Sequence, residues 1–155
     1  MVSAASALNT LLKSDAALAM KEKSFGERLI EAALTRNGLG EAQLKLGKLD
    51  EAQRNFEIAV QVRNEANFRG MDAAYSRENL AQALEAKGNL IEAKEVRRSG
   101  APDALVCTNF SCPRGRLSLK NLRKCTICKS VYYCSETCQK RDWTTRHKPL
   151  CRATQ

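Results

Sequence analysis

The sequence predicts a mostly α-helical chain in two parts: an antiparallel helical repeat over residues 1–100, then a small unit over 101–155. Three observations predict it. No proline precedes Pro102, and alanine, leucine, lysine and glutamate dominate the first hundred residues, a composition that favours helix. All seven cysteines lie after residue 106. The formal charge of +9 is also lopsided: residues 1–100 carry 15 Lys/Arg against 14 Asp/Glu, whereas 101–155 carry 11 against 3. The boundary falls near "RRSGAPDA", Arg97 to Ala104, where Gly100 can end a helix and Pro102 prevents its continuation.

No apolar run approaches the roughly 20 residues that a membrane span needs. "MVSAASALNTLLK" has no basic leader before its apolar residues, so no secretory signal is expected. The expectation is a cytoplasmic and/or nuclear protein. In those compartments clustered cysteines bind metal more often than they form disulfides.

Within the helical part, Ala5, Leu8, Leu11, Leu12, Leu18 and Met20 suggest a first helix that caps one end. An internal echo follows. "LGEAQLKLGKLDEAQRNFEIA" (Leu39 to Ala59) aligns with "LAQALEAKGNLIEAKEVRRSG" (Leu80 to Gly100), and Leu39/Leu80, Gly47/Gly88, Leu49/Leu90, Glu51/Glu92 and Ala52/Ala93 recur at a spacing of 41. Each unit reads as helix, Gly-containing turn, helix, with small alanines allowing close approach and leucines filling the groove. This resembles the tetratricopeptide repeat (TPR), through Leu39-Gly40 and Ala52/Phe56, in its extended-helix variety. The chain departs from that pattern where Arg36 replaces an early aromatic, Gln43 a tyrosine, Asn64 the closing proline and Arg97 a second aromatic. Such units generally need about three copies to bury a continuous core. The C-terminal unit is therefore expected to cover the far end.

The C-terminal part holds its potential metal ligands in four pairs: Cys107/Cys112, Cys125/Cys128, Cys134/Cys138 and His147/Cys151. They comprise every cysteine and the only histidine in the chain. Tetrahedral zinc takes four such ligands, so the set makes two closed sites. Cys134/Cys138 and His147/Cys151 are each spaced by one helical turn, so each pair can face one metal. On one continuous helix the two pairs would point in opposite directions, so each recruits an upstream pair. Nested and crossed pairings both satisfy this spacing.

The order C-x4-C, C-x2-C, then Tyr133-Cys134, Cys138-Gln139, Asp142-Trp143, His147 and Cys151 closely resembles the MYND zinc finger. A RING finger differs, because its lone histidine falls fourth among the ligands rather than seventh. The resemblance implies the crossed arrangement, with Cys107, Cys112, Cys134 and Cys138 on one zinc and Cys125, Cys128, His147 and Cys151 on the other. Two variations stand out. The first pair is spaced x4 rather than x2, and three residues instead of two separate Trp143 from His147. A stretch this short cannot build an adequate core alone. Structural zinc contributes on the order of 10 kcal/mol per site, so chelation is expected to unfold 105–155 and leave the helical half largely intact.

A closed zinc site has no open position for activating water, and here it occupies every thiol and the only imidazole. No enzyme activity is expected. Some larger MYND proteins are lysine methyltransferases, but that chemistry needs a separate catalytic domain. Ser135, Gln139 and Trp143 fall at i, i+4 and i+8, forming a stripe beside the Cys134/Cys138 face. The matching MYND positions line a groove for short proline-rich motifs, where an indole stacks on pyrrolidine and an amide bonds a backbone carbonyl. Trp143 alternatively serves as the core of a tiny domain. The basic loop "CPRGRLSLKNLRKC" supplies Arg114, Arg116, Lys120, Arg123 and Lys124, which suit nucleic-acid phosphates. Seven thiolates and two zinc ions lower the finger's charge from +8 to about +5, which weakens that alternative. The sequence thus points to a protein–protein adaptor with two structural zinc ions. Transcriptional regulation is a role the family resemblance implies.

Overall fold

The computed structural model describes residues 13, 15–17, 30–65 and 70–152. The first helix expected from Ala5, Leu8, Leu11, Leu12, Leu18 and Met20 lies outside the described residues.

Four helices make two hairpins. Helices α1 (Ile30–Lys45) and α2 (Leu49–Glu65) form one, and α3 (Met71–Ala86) and α4 (Leu90–Arg98) form the other. Acidic residues open α2 and α3, and basic residues close α1, α2 and α4, each complementing the helix dipole. The 41-residue echo reappears atom for atom at the two turns. Lys48 N donates to Gln43 O and Asn89 N to Leu84 O, at 2.9 and 2.8 Å. Gly47 and Gly88 take φ values of 74° and 87°, the left-handed region open to a residue without Cβ. The chain turns back within three residues, so paired helices lie antiparallel. Ala52, Phe56, Leu80, Ala81, Leu84 and Ala93 close the core between the hairpins.

The departures from the repeat pattern have partners. Arg36 donates to Asn55 Oδ1 (3.1 Å), and Asn55 donates to Gln43 Oε1 (2.8 Å). Two positions that would carry aromatic rings are therefore joined by one polar bridge. A second polar ladder links α1 to α3: Ser76 donates to Asn37 Oδ1, and both Asn37 and Asn79 donate to Glu41 Oε1 at 2.8 Å. Phe56 is fully buried, while its counterpart 41 residues on, Arg97, is also buried but turned toward carboxylates. Helix α4 stops before Gly100, which enters a tight local turn where Ala104 N donates to Gly100 O. A Cβ there would meet the Ala104 carbonyl at 2.2 Å.

Beyond α4 the backbone is largely irregular, with a two-residue hairpin of β1 (Arg123–Lys124) and β2 (Tyr132–Tyr133), paired Arg123 to Tyr133 and Lys124 to Tyr132. Leu105 and Leu117 form an isolated bridge. The chain ends in helix α5 (Glu136–Asp142), a π-helical turn (Trp143–His147) and helix α6 (Lys148–Arg152). No helix among the described residues is long and apolar enough to cross a membrane.

The finger packs on the α3–α4 hairpin through polar groups. Within that hairpin Arg97 donates to both oxygens of Glu78 (2.8 and 2.9 Å) and to Glu85 Oε1 (2.5 Å), and across to the finger it reaches the Ser130 carbonyl at 3.4 Å. Glu85 also pairs with Arg146, from the finger's π-helical turn. Gln82 reaches the Thr108 carbonyl, Arg77 the Ala104 carbonyl and Tyr75 the Arg114 carbonyl.

Candidate metal centre

The eight ligands gather into two clusters in the crossed arrangement. Cys107, Cys112, Cys134 and Cys138 form one, and Cys125, Cys128, His147 and Cys151 form the other, with the ligand atoms of each cluster within 4.8 Å of one another. A tetrahedron with Zn–S of about 2.3 Å sets neighbouring sulfurs about 3.8 Å apart. The observed Sγ separations are 3.5 Å for Cys112–Cys134, 3.6 Å for Cys134–Cys138 and 3.8 Å for Cys125–Cys151. Cys128 Sγ lies 3.4 Å from His147 Nε2, which assigns the metal-facing nitrogen. The donor sets fit two zinc ions.

Local folding explains each pair. Cys125 and Cys128 sit in the turn of the hairpin, where Cys125 N donates to Val131 O and Lys129 N to Cys125 O, and Lys129 adopts φ 55° to close the knuckle. Cys134 directly follows the second strand. Ser135 then starts α5 as its N-cap, its hydroxyl accepting from Cys138 N–H at 3.2 Å. That places Cys138 one turn on, facing Cys134. The π-helical turn comes where the sequence carries an additional residue between Trp143 and His147. A wider turn of this kind absorbs one residue within a helix, so His147 and Cys151 still meet the second cluster.

The thiols resist ionising side by side. Burial pushes Cys107 well above its ordinary range and carries Cys151, beside Cys125 and Cys128, up to about 12. Burial also acts on Cys138, but hydrogen bonds from Asn109, Ser135 and neighbouring thiols bring it down to about 7. Crowded thiols of this kind favour a bound dication and release protons when it binds.

Around the second cluster, Tyr133 donates to Asp142 Oδ2 (2.7 Å), and Asp142 takes two bonds from Arg146 (3.1 and 3.0 Å). Burial and the Asp142 charge hold the Tyr133 phenol well above its ordinary pKa, so it stays a donor. The His147 ring is flanked edge-on by Trp143 and Tyr133, at centroid distances of 5.9 and 6.4 Å. Sequence reasoning named Tyr133 and Asp142 only as motif members and did not assign Asn109 or Arg146 a role. The nearest signal was their density around the ligands.

Of the stripe, Ser135, Gln139 and Trp143 are all half-buried. Ser135 is committed to its N-cap bond, and Trp143 leans on the finger core. Arg114, Arg116, Lys120, Arg123 and Lys124 are all exposed.

Comparison with known proteins matches residues 107–151 to the family described as MYND finger. A zinc finger MYND domain-containing protein 10 homolog of Drosophila melanogaster is 38% identical over 63 residues, covering 41% of this chain and 12% of that protein. A SET and MYND domain-containing protein of Dictyostelium discoideum is 42% identical over 57 residues, covering 35% of this chain and 10% of that protein. An F-box protein of Arabidopsis thaliana is 38% identical over 50 residues, 32% of this chain and 13% of the relative. The chain thus spans only about an eighth of the length of these relatives. No solved structure matches it. Residues 107–151 are a MYND finger with two closed four-ligand clusters for structural zinc.

Proposed function

We propose that this protein is a non-enzymatic adaptor of the cytoplasm and/or nucleus, in which the MYND finger docks short proline-rich segments and the tetratricopeptide-like hairpins hold a second partner. The observation that carries the reading is the pairing of Gln139 and Trp143. They are one turn apart and both half-buried, with the indole braced by the finger core. A braced ring loses little freedom when a pyrrolidine stacks on it, and the Gln139 amide lies beside it for a backbone carbonyl. The metal clusters take up every thiol and the imidazole, which supports the non-enzymatic part. Joining two docking surfaces in one chain raises the local concentration of one partner near the other, the form of action expected of a transcriptional co-regulator.

The test uses Trp143 as probe. Zinc-loaded protein titrated with a proline-rich peptide should give a saturable fluorescence change that Gln139→Ala abolishes at unchanged zinc content. A flat titration sinks the reading. The exposed basic loop favours a second reading, nucleic-acid association. A salt-sensitive shift on DNA or RNA that survives Trp143→Ala would establish it.

A further inference from the structure

Between the helical half and the finger lies a cleft of about 200 Å³, lined by α1, α3 and the first zinc cluster. Its floor carries the Glu41 carboxylate. Asn37 and Asn79 both donate to Glu41 Oε1, and the other carboxylate oxygen accepts from neither. Cys107 brings the edge of the first cluster, where four thiolates around a dication carry about −2. Two aromatic rings flank the opening, Tyr75 from α3 and Phe110 from the finger, and Phe110 is 62% exposed. The amides of Asn79 and Gln82 complete a polar wall. This negative recess lies within a chain whose formal charge is +9.

The protein's own groups already show what the mouth attracts. Lys45, one turn after Glu41, holds its ammonium 5.5 Å from the centre of the Phe110 ring. Burial raises the Glu41 pKa, against the Asn79 and Asn37 hydrogen bonds and the Lys45 and Arg63 charges. A half-buried carboxylate in that condition gains from one more cation at close range. The other carboxylate on the wall, Glu78, is already engaged by Arg97.

We infer that this cleft binds a lysine or arginine side chain of a partner protein, its charge set between Glu41 and the first zinc cluster and its stem against Tyr75 and Phe110. The guest displaces Lys45 from the Phe110 ring. The site gives a chemistry to the second partner surface proposed above, rests on that part of the reading, and is independent of proline-rich docking at Gln139 and Trp143.

The experiment titrates the zinc-loaded protein, residues 1–155, with the capped pentapeptide Ala-Ala-Arg-Ala-Ala, its lysine and citrulline counterparts and an all-alanine control. Side-chain amide NMR shifts of Asn79 and Gln82 are the readout. Saturable shifts are expected with arginine and lysine, and binding about tenfold weaker with citrulline, which keeps the shape and removes the charge. Glu41→Gln should weaken arginine binding about tenfold, and Phe110→Ala about threefold. Lys45→Met should tighten it about threefold, and Gln139→Ala should leave it unchanged. The exposed Phe110 and Lys45 variants, and the citrulline comparison, keep the test valid if Glu41→Gln fails to fold. Absence of shifts, or equal binding of arginine and citrulline, overturns the site even where proline-rich peptides bind.

Discussion

Glu85 links the helical half to the finger through charge. It accepts from Arg97 of the helical half and pairs with Arg146 of the finger. Burial would raise its pKa, but the two guanidinium groups overcome burial and hold it at about 2, against 4.5 unperturbed. A carboxylate whose pKa falls on folding stabilises the fold fully above its unfolded value and loses that contribution as pH drops toward the folded one. Glu85→Gln is expected to cost about 3 kcal/mol at pH 7, because both guanidinium groups stay buried without their counter-charge. Above the unfolded value of 4.5 that contribution is fully present, so the gap to wild type should stay constant from about pH 8 to pH 6, where protons do not yet displace zinc from its thiolates. Urea unfolding of both zinc-loaded proteins reads the difference, and a gap that is absent or that shrinks within this window would refute the assignment. Two glycines of α1 make a second contrast. A Cβ at Gly38 meets nothing within 4 Å, so Gly38→Ala should stabilise by about 0.5–1 kcal/mol. At Gly40 it would sit 2.6 Å from the Phe56 ring, and Gly40→Ala should cost about 1–3 kcal/mol. Thermal unfolding of the pair decides both signs. The sequence marked Gly40 and Phe56 as repeat positions, but their mutual contact depends on how α1 crosses α2, which no local pattern encodes.

At the level of elements, the turns were legible because their chemistry is local. Gly47 and Gly88 sit at the same offset as the alanines and leucines around them, and each needs only its own positive φ. The continuation after Asp142 was less legible. Opposite-facing pairs on one helix follow from 100° per residue, yet the wide turn at Trp143–His147 answers to the position of the second cluster rather than to local propensity. Deleting Thr144 should therefore convert that turn to ordinary α-helix and leave two zinc ions per chain. Metal content by mass spectrometry checks this, and loss of the second zinc would show that the wide turn is itself required. Helix α4 teaches a related lesson. Its early end was readable from Gly100 and Pro102, whereas the packing of the Arg77 guanidinium against Gly100, 2.9 Å from where a Cβ would sit, belongs to tertiary structure.

At the scale of the whole molecule, the ligands were legible because zinc chemistry admits few donor types and spacings, and the crossed pairing came from family resemblance rather than from geometry. The junction was not legible. Glu78, Glu85 and Arg97 read as helix-surface charges in the sequence, yet all three are buried, paired with one another across α3 and α4 and joined by Arg146 of the finger. That junction narrows the expectation for chelation. With zinc removed, the finger should lose amide protection over 105–151, and the loss should spread into α4, where Arg97 loses the Ser130 carbonyl and its partner Glu85 loses Arg146. Helices α1 and α2 should stay protected. Hydrogen exchange in chelator measures this, and full retention in α4 would mean that the hairpin holds itself together without the finger. Arg97 has one more consequence. Where Phe56 offers an apolar knob for the next hairpin to receive, Arg97 directs its charge to Glu78 and Glu85 of α3 and a donor to the finger's Ser130 carbonyl. The stack of hairpins therefore has a terminus written into it. A further hairpin inserted between α4 and the finger would part Glu85 from Arg146 and Arg97 from the Ser130 carbonyl, leaving buried charge short of partners.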